Sequence, residues 1–141
     1  MKIRAFQHDD HEAVVALWEQ CGLTVSWNDP GRDIERKLQV QPELFLVAVE
    51  ADAVIGSAMG GYDGHRGSLY YLAVAPEYRG RGVGSMLVKE LSRMLQEMGC
   101  PKLNIMVRAS NSEVIGFYEN LGFATDEIAC MGRRLISDET R

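Results

Sequence analysis

Leu72-Ala73-Val74-Ala75-Pro76-Glu77-Tyr78-Arg79-Gly80-Arg81-Gly82-Val83-Gly84 is the stretch on which the reading of this chain turns. Just upstream, Ser68 to Val74 is a run of Leu, Tyr, Ala and Val with no breaker inside, which predicts a strand. Pro76 cannot donate to a sheet ladder and ends it. Downstream, Val83, Met86, Leu87, Leu91, Met94, Leu95 and Met98 recur at helical spacing. The unit is strand, basic glycine loop, helix. A helix start offers unpaired N–H groups and the positive end of the dipole. Gly80, Gly82 and Gly84 have no Cβ, so an oxyanion can approach the backbone closely. Arg79 and Arg81 add charge-assisted donors. The loop reads as an anion site, most simply one for a phosphate or pyrophosphate, with Ser85 in the first turn behind it.

Working outward, Leu44 to Val49 is a nearly continuous apolar run and predicts a central strand. Val54 to Met59 returns the chain, so these two and the organising strand form an antiparallel meander. Nearer the start, Ile3 to Phe6 reads as a short strand, and Asp9 with Glu12 as a capping box for a helix ending at Gly22. Asp29-Pro30 is a second helix start, with Ile34 and Leu38 one turn apart, and Pro42 closes the segment. After the long helix come a stop at Gly99-Cys100-Pro101, a fifth strand over Lys102 to Val107, and a helix over Ser112 to Leu121 capped by Ser110 and Glu113. Ala124 to Met131 and Arg133 to Ile136 read as a last hairpin, and Asp138 to Arg141 as a frayed tail.

The 141 residues are expected to make one domain, 1–141, with 46% hydrophobic and 25% charged residues as in soluble globular proteins. A net charge of −5 argues against nucleic acid as the main partner. No apolar run is long enough for a membrane span, and the N-terminus leads into alternating sequence rather than a signal-peptide core, so a cytoplasmic protein is expected. Cys21, Cys100 and Cys130 fit reduced thiols better than a disulfide frame or a metal site.

Two familiar phosphate loops do not fit the glycine stretch. A P-loop needs Lys before Ser85, and a Rossmann fingerprint needs Gly-x-Gly-x-x-Gly with an acid about 20 residues on. The pattern Arg/Gln-x-x-Gly-x-Gly/Ala is matched by Arg79 to Gly84. Further on, Asn111-Ser112 is followed by Tyr118 on the helix and by Leu121-Gly122-Phe123. On these two constellations the chain resembles the GNAT superfamily of N-acetyltransferases, firmly over Leu44 to Phe123. Trp27-Asn28-Asp29-Pro30 and Gly60 to Gly67 look like the bacterial YpeA-type branch. The resemblance implies an α/β fold: a mixed, mostly antiparallel sheet flanked by helices, with strands four and five splayed apart.

It also implies acetyl-CoA as donor, an amine of a small molecule or a protein as acceptor, and direct attack in a ternary complex. A CoA-binding module without catalysis is the alternative from another class, and a homodimer is left open. By resemblance, Leu72, Ala73 and Val74 meet the pantetheine, while Arg79, Gly80, Arg81, Gly82, Val83, Gly84 and Ser85 hold the pyrophosphate. Asn111 contacts the pantetheine from the other side, and Tyr118 protonates the leaving thiolate. The same stretch, Met106 to Asn111, resembles the ribosomal-protein alanine N-acetyltransferases, which carry Glu at the position of Met106. Met cannot accept a proton, so the general base is sought among Asp63, His65, Glu77, Glu50 or a water chain. Trp27, Asp29, Asp33, Tyr62 and Asp63, with His65, are expected on the acceptor side, as carboxylates and aromatic faces for an amine cation.

Overall fold

The computed structural model describes residues 1–139. Five strands form one sheet in the order β1 (Lys2–Ala5), β2 (Phe45–Glu50), β3 (Ala53–Tyr62), β4 (Gly67–Val74), β5 (Leu103–Ile105). The first three pairings are antiparallel and β4–β5 is parallel. The meander is therefore present, and the sheet is mixed and mostly antiparallel.

Period-two alternation decides which residue faces which layer. In β2, Phe45 and Val47 join Val14, Leu17 and Trp18 of α1 (His11–Gln20) and Ile34 of α2 (Pro30–Leu38). Leu46 and Ala48 point the other way, into a cluster with Leu87, Val88, Leu91 and Leu95 of α3 (Val83–Glu97) and Tyr118 of α4 (Ser112–Glu119). Both faces of the sheet are covered, which is why Leu44 to Val49 reads as a continuous apolar run. Gly56 lets α3 approach β3: a Cβ there would lie 3.1 Å from Leu87 Cδ1 and 3.1 Å from Val83 Cγ1.

Local signals that failed did so for identifiable reasons. The turn before α1 is closed by Asp10, not Asp9: Asp10 Oδ2 accepts the Gln7 N–H at 2.8 Å and pairs with Arg4 Nη1 at 2.7 Å. That guanidinium holds the Asp10 carboxyl below the usual carboxylate range. α4 is capped by Asn111, whose side chain accepts the Val114 N–H at 3.3 Å, rather than by Ser110. Asp29 does cap α2, accepting the Arg32 N–H at 3.1 Å.

The hairpin expected over Ala124 to Ile136 is not formed: no strand is present there, and Ile128, Met131, Leu135 and Ile136 are exposed. Asp126, Glu127, Arg133 and Arg134 break the apolar alternation, and side-chain ties replace a ladder. Lys102 Nζ pairs with Asp126 at 2.7 Å. The frayed tail is also corrected at its first residue. Asp138 is buried, accepting from the Asp29 N–H at 3.0 Å and from Arg36 Nη1 at 3.1 Å. Residues 140 and 141 of that expectation lie outside the described residues.

Candidate active site

Two irregularities of β4 build the site. First, pairing with β5 stops at Leu69–Ile105, while β4 continues to Val74. The Ala75 N–H donates to the Ile55 carbonyl at 2.8 Å. By antiparallel alternation Ala73 turns its peptide groups toward β3 as well, and Leu72 and Val74 turn theirs toward the gap left by β5. An amide-bearing chain lying in that gap can meet them.

Second, β4 carries a bulge. Ser57 opposes Ala73 and Met59 opposes Tyr70, so Tyr71 and Leu72 together face Ala58. Tyr71 has φ 53°, a left-handed conformation that is rare for a bulky residue and is held here by its surroundings. Its ring stacks on buried Trp18 with centroids 3.7 Å apart. Ser57 Oγ donates to the Tyr71 carbonyl and accepts from Trp18 Nε1, both at 2.8 Å. The Tyr71 hydroxyl donates to Asp33 Oδ2 at 2.6 Å and accepts from Asn28 Nδ2 at 2.8 Å; Asn28 also donates to Asp33. Burial first, and the adjacent Asp33 carboxylate second, push the Tyr71 phenol well above its ordinary pKa.

The glycine loop follows. Gly80 and Gly82 both adopt φ 80°. Gly82 is the N-cap of α3 and has no side chain to cap it, so the first-turn N–H groups of Val83, Gly84 and Ser85 face outward. A Cβ at Gly84 would lie 3.3 Å from Phe117 Cζ, so glycine lets the start of α3 pack on α4. Arg81 lies over the Tyr78 ring, 5.0 Å from its centroid, and Arg79 Nε folds back to the Val74 carbonyl at 3.2 Å. Neither arginine pairs with a carboxylate among the described residues.

On the opposite side of the gap, Tyr118 is 7% exposed, its ring edge-on to Phe117 and Phe123 at 5.1 and 5.6 Å. Its hydroxyl has no hydrogen-bond partner among the described residues, yet it is not sealed from solvent. Burial pushes its pKa up to about 12, so the phenol keeps its proton at neutral pH. Asn111, with its carbonyl oxygen used in capping, lies about two turns ahead, at the N-cap of the same helix.

Beside Leu72, on the α2 face, opens a cavity of about 960 Å³. Its walls include Trp27, Asn28, Asp33, Met59, Tyr70, Tyr71, Leu72 and Met106, with four cations, Arg36, Lys37, Arg108 and Arg134. Trp27 and Asp33 are thus brought together there. Asp29 is engaged in capping, and Tyr62, Asp63 and His65 do not line the cavity. Asp63 instead closes its turn, accepting the N–H groups of His65 and Arg66 at 2.8 Å, which lowers its pKa. Glu77 lines a separate cavity of about 450 Å³ against α1, and Glu50 lies 3.8 Å from the N-terminal amine. Among the described lining residues Asp33 is the one carboxylate. Sequence reasoning passed over Tyr71, Lys37, Arg108 and Arg134. The adjacent tyrosines at 70 and 71 were the one local sign, since a regular strand would send them to opposite faces.

Comparison with known proteins agrees with this geometry. The model of the acetyltransferase (GNAT) family matches residues 4–123. An acetyltransferase of Yersinia pestis (strain Pestoides F) is 57% identical over 139 residues, covering 99% of both chains. One of Pectobacterium atrosepticum is 54% identical over 138 residues, covering 98% of both. Among solved structures, the aminoglycoside N-acetyltransferase AAC(6')-Iy, in complex with the bisubstrate analogue CoA-S-monomethyl-acetylneamine, superposes with a TM-score of 0.78 at 22% identity. That match covers 96% of this chain and 98% of the other, and shows the shared fold. The glycine loop, the splayed strands and the matched family model agree, and the chain belongs to the acetyltransferase (GNAT) family.

Proposed function

We propose that this chain moves an acetyl group from acetyl-CoA to a primary amine by direct attack in a ternary complex. The observation that carries this reading is the meeting, at Leu72, of the β4–β5 gap and the charged cavity. The uncapped start of α3 lies at the far end of the same strand. CoA in the AAC(6')-Iy complexes supports the donor. Here the first-turn N–H groups of α3, with Arg79 and Arg81, would hold the pyrophosphate. The peptide edge of Leu72 and the Val74 N–H, the Val74 carbonyl being taken by Arg79, would hold the pantetheine with Asn111 opposite, and the Leu72 N–H would face the thioester carbonyl as charge develops on it.

The acceptor amine enters through the cavity. A neutral amine is required, and an alkylammonium has a pKa near 10.4. The cavity offers one path for its proton: to the Tyr71 hydroxyl as that hydroxyl passes its own proton to Asp33, 2.6 Å away. The nitrogen then bonds to the thioester carbon, the carbon–sulfur bond breaks, the leaving thiolate takes a proton from Tyr118, and the second proton that the nitrogen sheds as the amide forms goes to solvent, from which Tyr118 is reprotonated. With Met106 in place, the described lining has no carboxylate on the β5 side, so the base comes from the α2 side.

The test is release of free CoA thiol from acetyl-CoA across a panel of amines and peptides, with acetylated product identified by mass spectrometry. Product formation with at least one amine is expected. Tight CoA binding with no product from any amine would overturn the enzymatic reading and leave a CoA-binding module.

A further inference from the structure

The cavity carries a charge opposite to that of the chain. The whole chain has a net charge of −5, yet the described lining has four cations and one carboxylate. Asp33 is fully engaged: Asn28 and Tyr71 donate to Oδ2, and Arg36 donates to Oδ1 at 3.2 Å. Asp138, behind the wall, answers Arg36 at 2.5 Å and reaches Arg134 at 3.9 Å. Lys37 and Arg108 are left with no carboxylate partner among the described residues. Lys37 is half-buried, and its ammonium has one observed acceptor, the Val40 carbonyl at 2.8 Å. Burial accordingly lowers its pKa. Glu43 opposes that shift only from beyond ion-pair distance, and a desolvated cation with no ion-paired carboxylate in a ligand-sized cavity is completed by an anion.

Lys37 also sets a span. Lys37 Nζ would lie 3.8 Å from a Cβ at Gly61, and Gly61 pairs with Ser68. Ser68 is four residues from Leu72 along β4, or roughly 13 Å at about 3.3 Å per residue. Arg108 follows Met106 on the opposite wall, and the partly exposed rings of Trp27 and Tyr70 lie in the same lining.

We propose that the acceptor carries an anionic group as well as its amine, the anion held by Lys37 and Arg108 while the amine lies at Leu72. The inference rests on the cavity being the acceptor site of the proposed acetyl transfer. Its shared chemistry is an amine and a carboxylate roughly 13 Å apart, the length of β4 between Ser68 and Leu72, which either a free ω-amino acid or a peptide N-terminus with an acidic residue nearby supplies. Polycationic amines are disfavoured, because they place like charge against Lys37 and Arg108.

The experiment measures thiol release for ω-amino acids of increasing length, each against its methyl ester and the diamine of equal length. A second arm sets a short peptide bearing an acidic residue against the same peptide with its amide. The anionic member of each set is expected to win by about tenfold or more in kcat/KM, as a charge-assisted pair gives, in one arm or both. The advantage should shrink with added salt. Lys37→Gln and Arg108→Gln should each raise KM for the anionic acceptor, leave kcat nearly unchanged and leave the ester unaffected, with Arg108→Lys restoring part of the loss. Arg108 is exposed, so its variants remain folded. Thiol release that proceeds equally with acid, ester and diamine overturns the anionic acceptor and leaves acetyl transfer standing. No thiol release with any compound overturns both.

Discussion

Tyr118 combines a buried ring with a hydroxyl left open, and those two properties let its packing be tested apart from its proposed role as the acid. Tyr118→Phe keeps the ring contacts with Phe117 and Phe123 and removes the hydroxyl alone. Loss of a general acid costs about 10²–10⁴-fold in rate, so kcat should fall in that range while the acetyl-CoA dissociation constant changes little. A wild-type kcat in the variant would confine Tyr118 to packing. Asp33→Asn tests the other proton. The amide can still accept from Tyr71 but cannot take up a proton, so kcat should fall by about 10²-fold or more, with donor affinity intact. An unchanged kcat would remove the Tyr71–Asp33 pair from the path. These two sites differ in how far the sequence reveals them. Tyr118 is visible from its spacing after Asn111 and before Leu121-Gly122-Phe123. Tyr71 is not, because its role depends on a left-handed φ and on Trp18, Ser57, Asn28 and Asp33, which are distant in the chain. Asp33 is visible as a residue type, but its partners are not.

Elements were legible where local chemistry decides them. α3 follows from apolar period and glycine start, α2 from Asp29-Pro30, and β2 from its apolar run. The segment after Phe123 was not, because it is held by side chains across the chain: Asp138 and Arg36 are 102 positions apart. Arg36, followed by the Asp29 N–H, holds the Asp138 carboxyl down to about 2, against an ordinary 3.8. The folded value lies below the unfolded one, so the stabilisation is complete above about pH 4 and is lost as pH falls through 2. Thermal melts of the wild type and Asp138→Asn should therefore differ by a constant amount at pH 5–7 and converge toward pH 2. A gap that does not narrow in acid would remove the ion pair as its cause. A second test concerns β3. A Cβ at Gly60 would lie 2.9 Å from Leu91 Cγ and closer still to its methyl groups. Gly60→Ala should destabilise by roughly 1–3 kcal/mol, as overpacking does. Gly61→Ala, with nothing nearer than 3.7 Å, should change urea stability by less than about 1 kcal/mol. Equal effects would place α3 further from β3 than described.

At the scale of the whole molecule, an acidic chain concentrates positive charge in two places, the glycine loop and the cavity beside Leu72. The first was legible, because the glycine loop and its two arginines are contiguous in sequence. The second was not: its cations come from α2, from the segment after β5 and from the C-terminal segment, whereas the residues expected around the amine were the carboxylates and aromatic rings of Trp27, Asp29, Asp33, Tyr62 and Asp63, with His65. Among the described residues no helix is long and apolar enough to cross a membrane. The proposed donor site is the part on which the proposed function rests, and one position isolates it. Gly82 has φ 80°, a conformation that Asn and Asp both tolerate, so Gly82→Asn and Gly82→Asp differ almost solely in charge beside the first turn of α3. Calorimetric titration of CoA into the wild type and both variants, each shown folded by its melting transition, is the direct measurement. CoA should bind Gly82→Asn within several-fold of wild type and Gly82→Asp at least about tenfold more weakly than Gly82→Asn, a difference that shrinks with salt. Equal CoA affinity in folded Gly82→Asn and Gly82→Asp would mean that the pyrophosphate is not held at this loop.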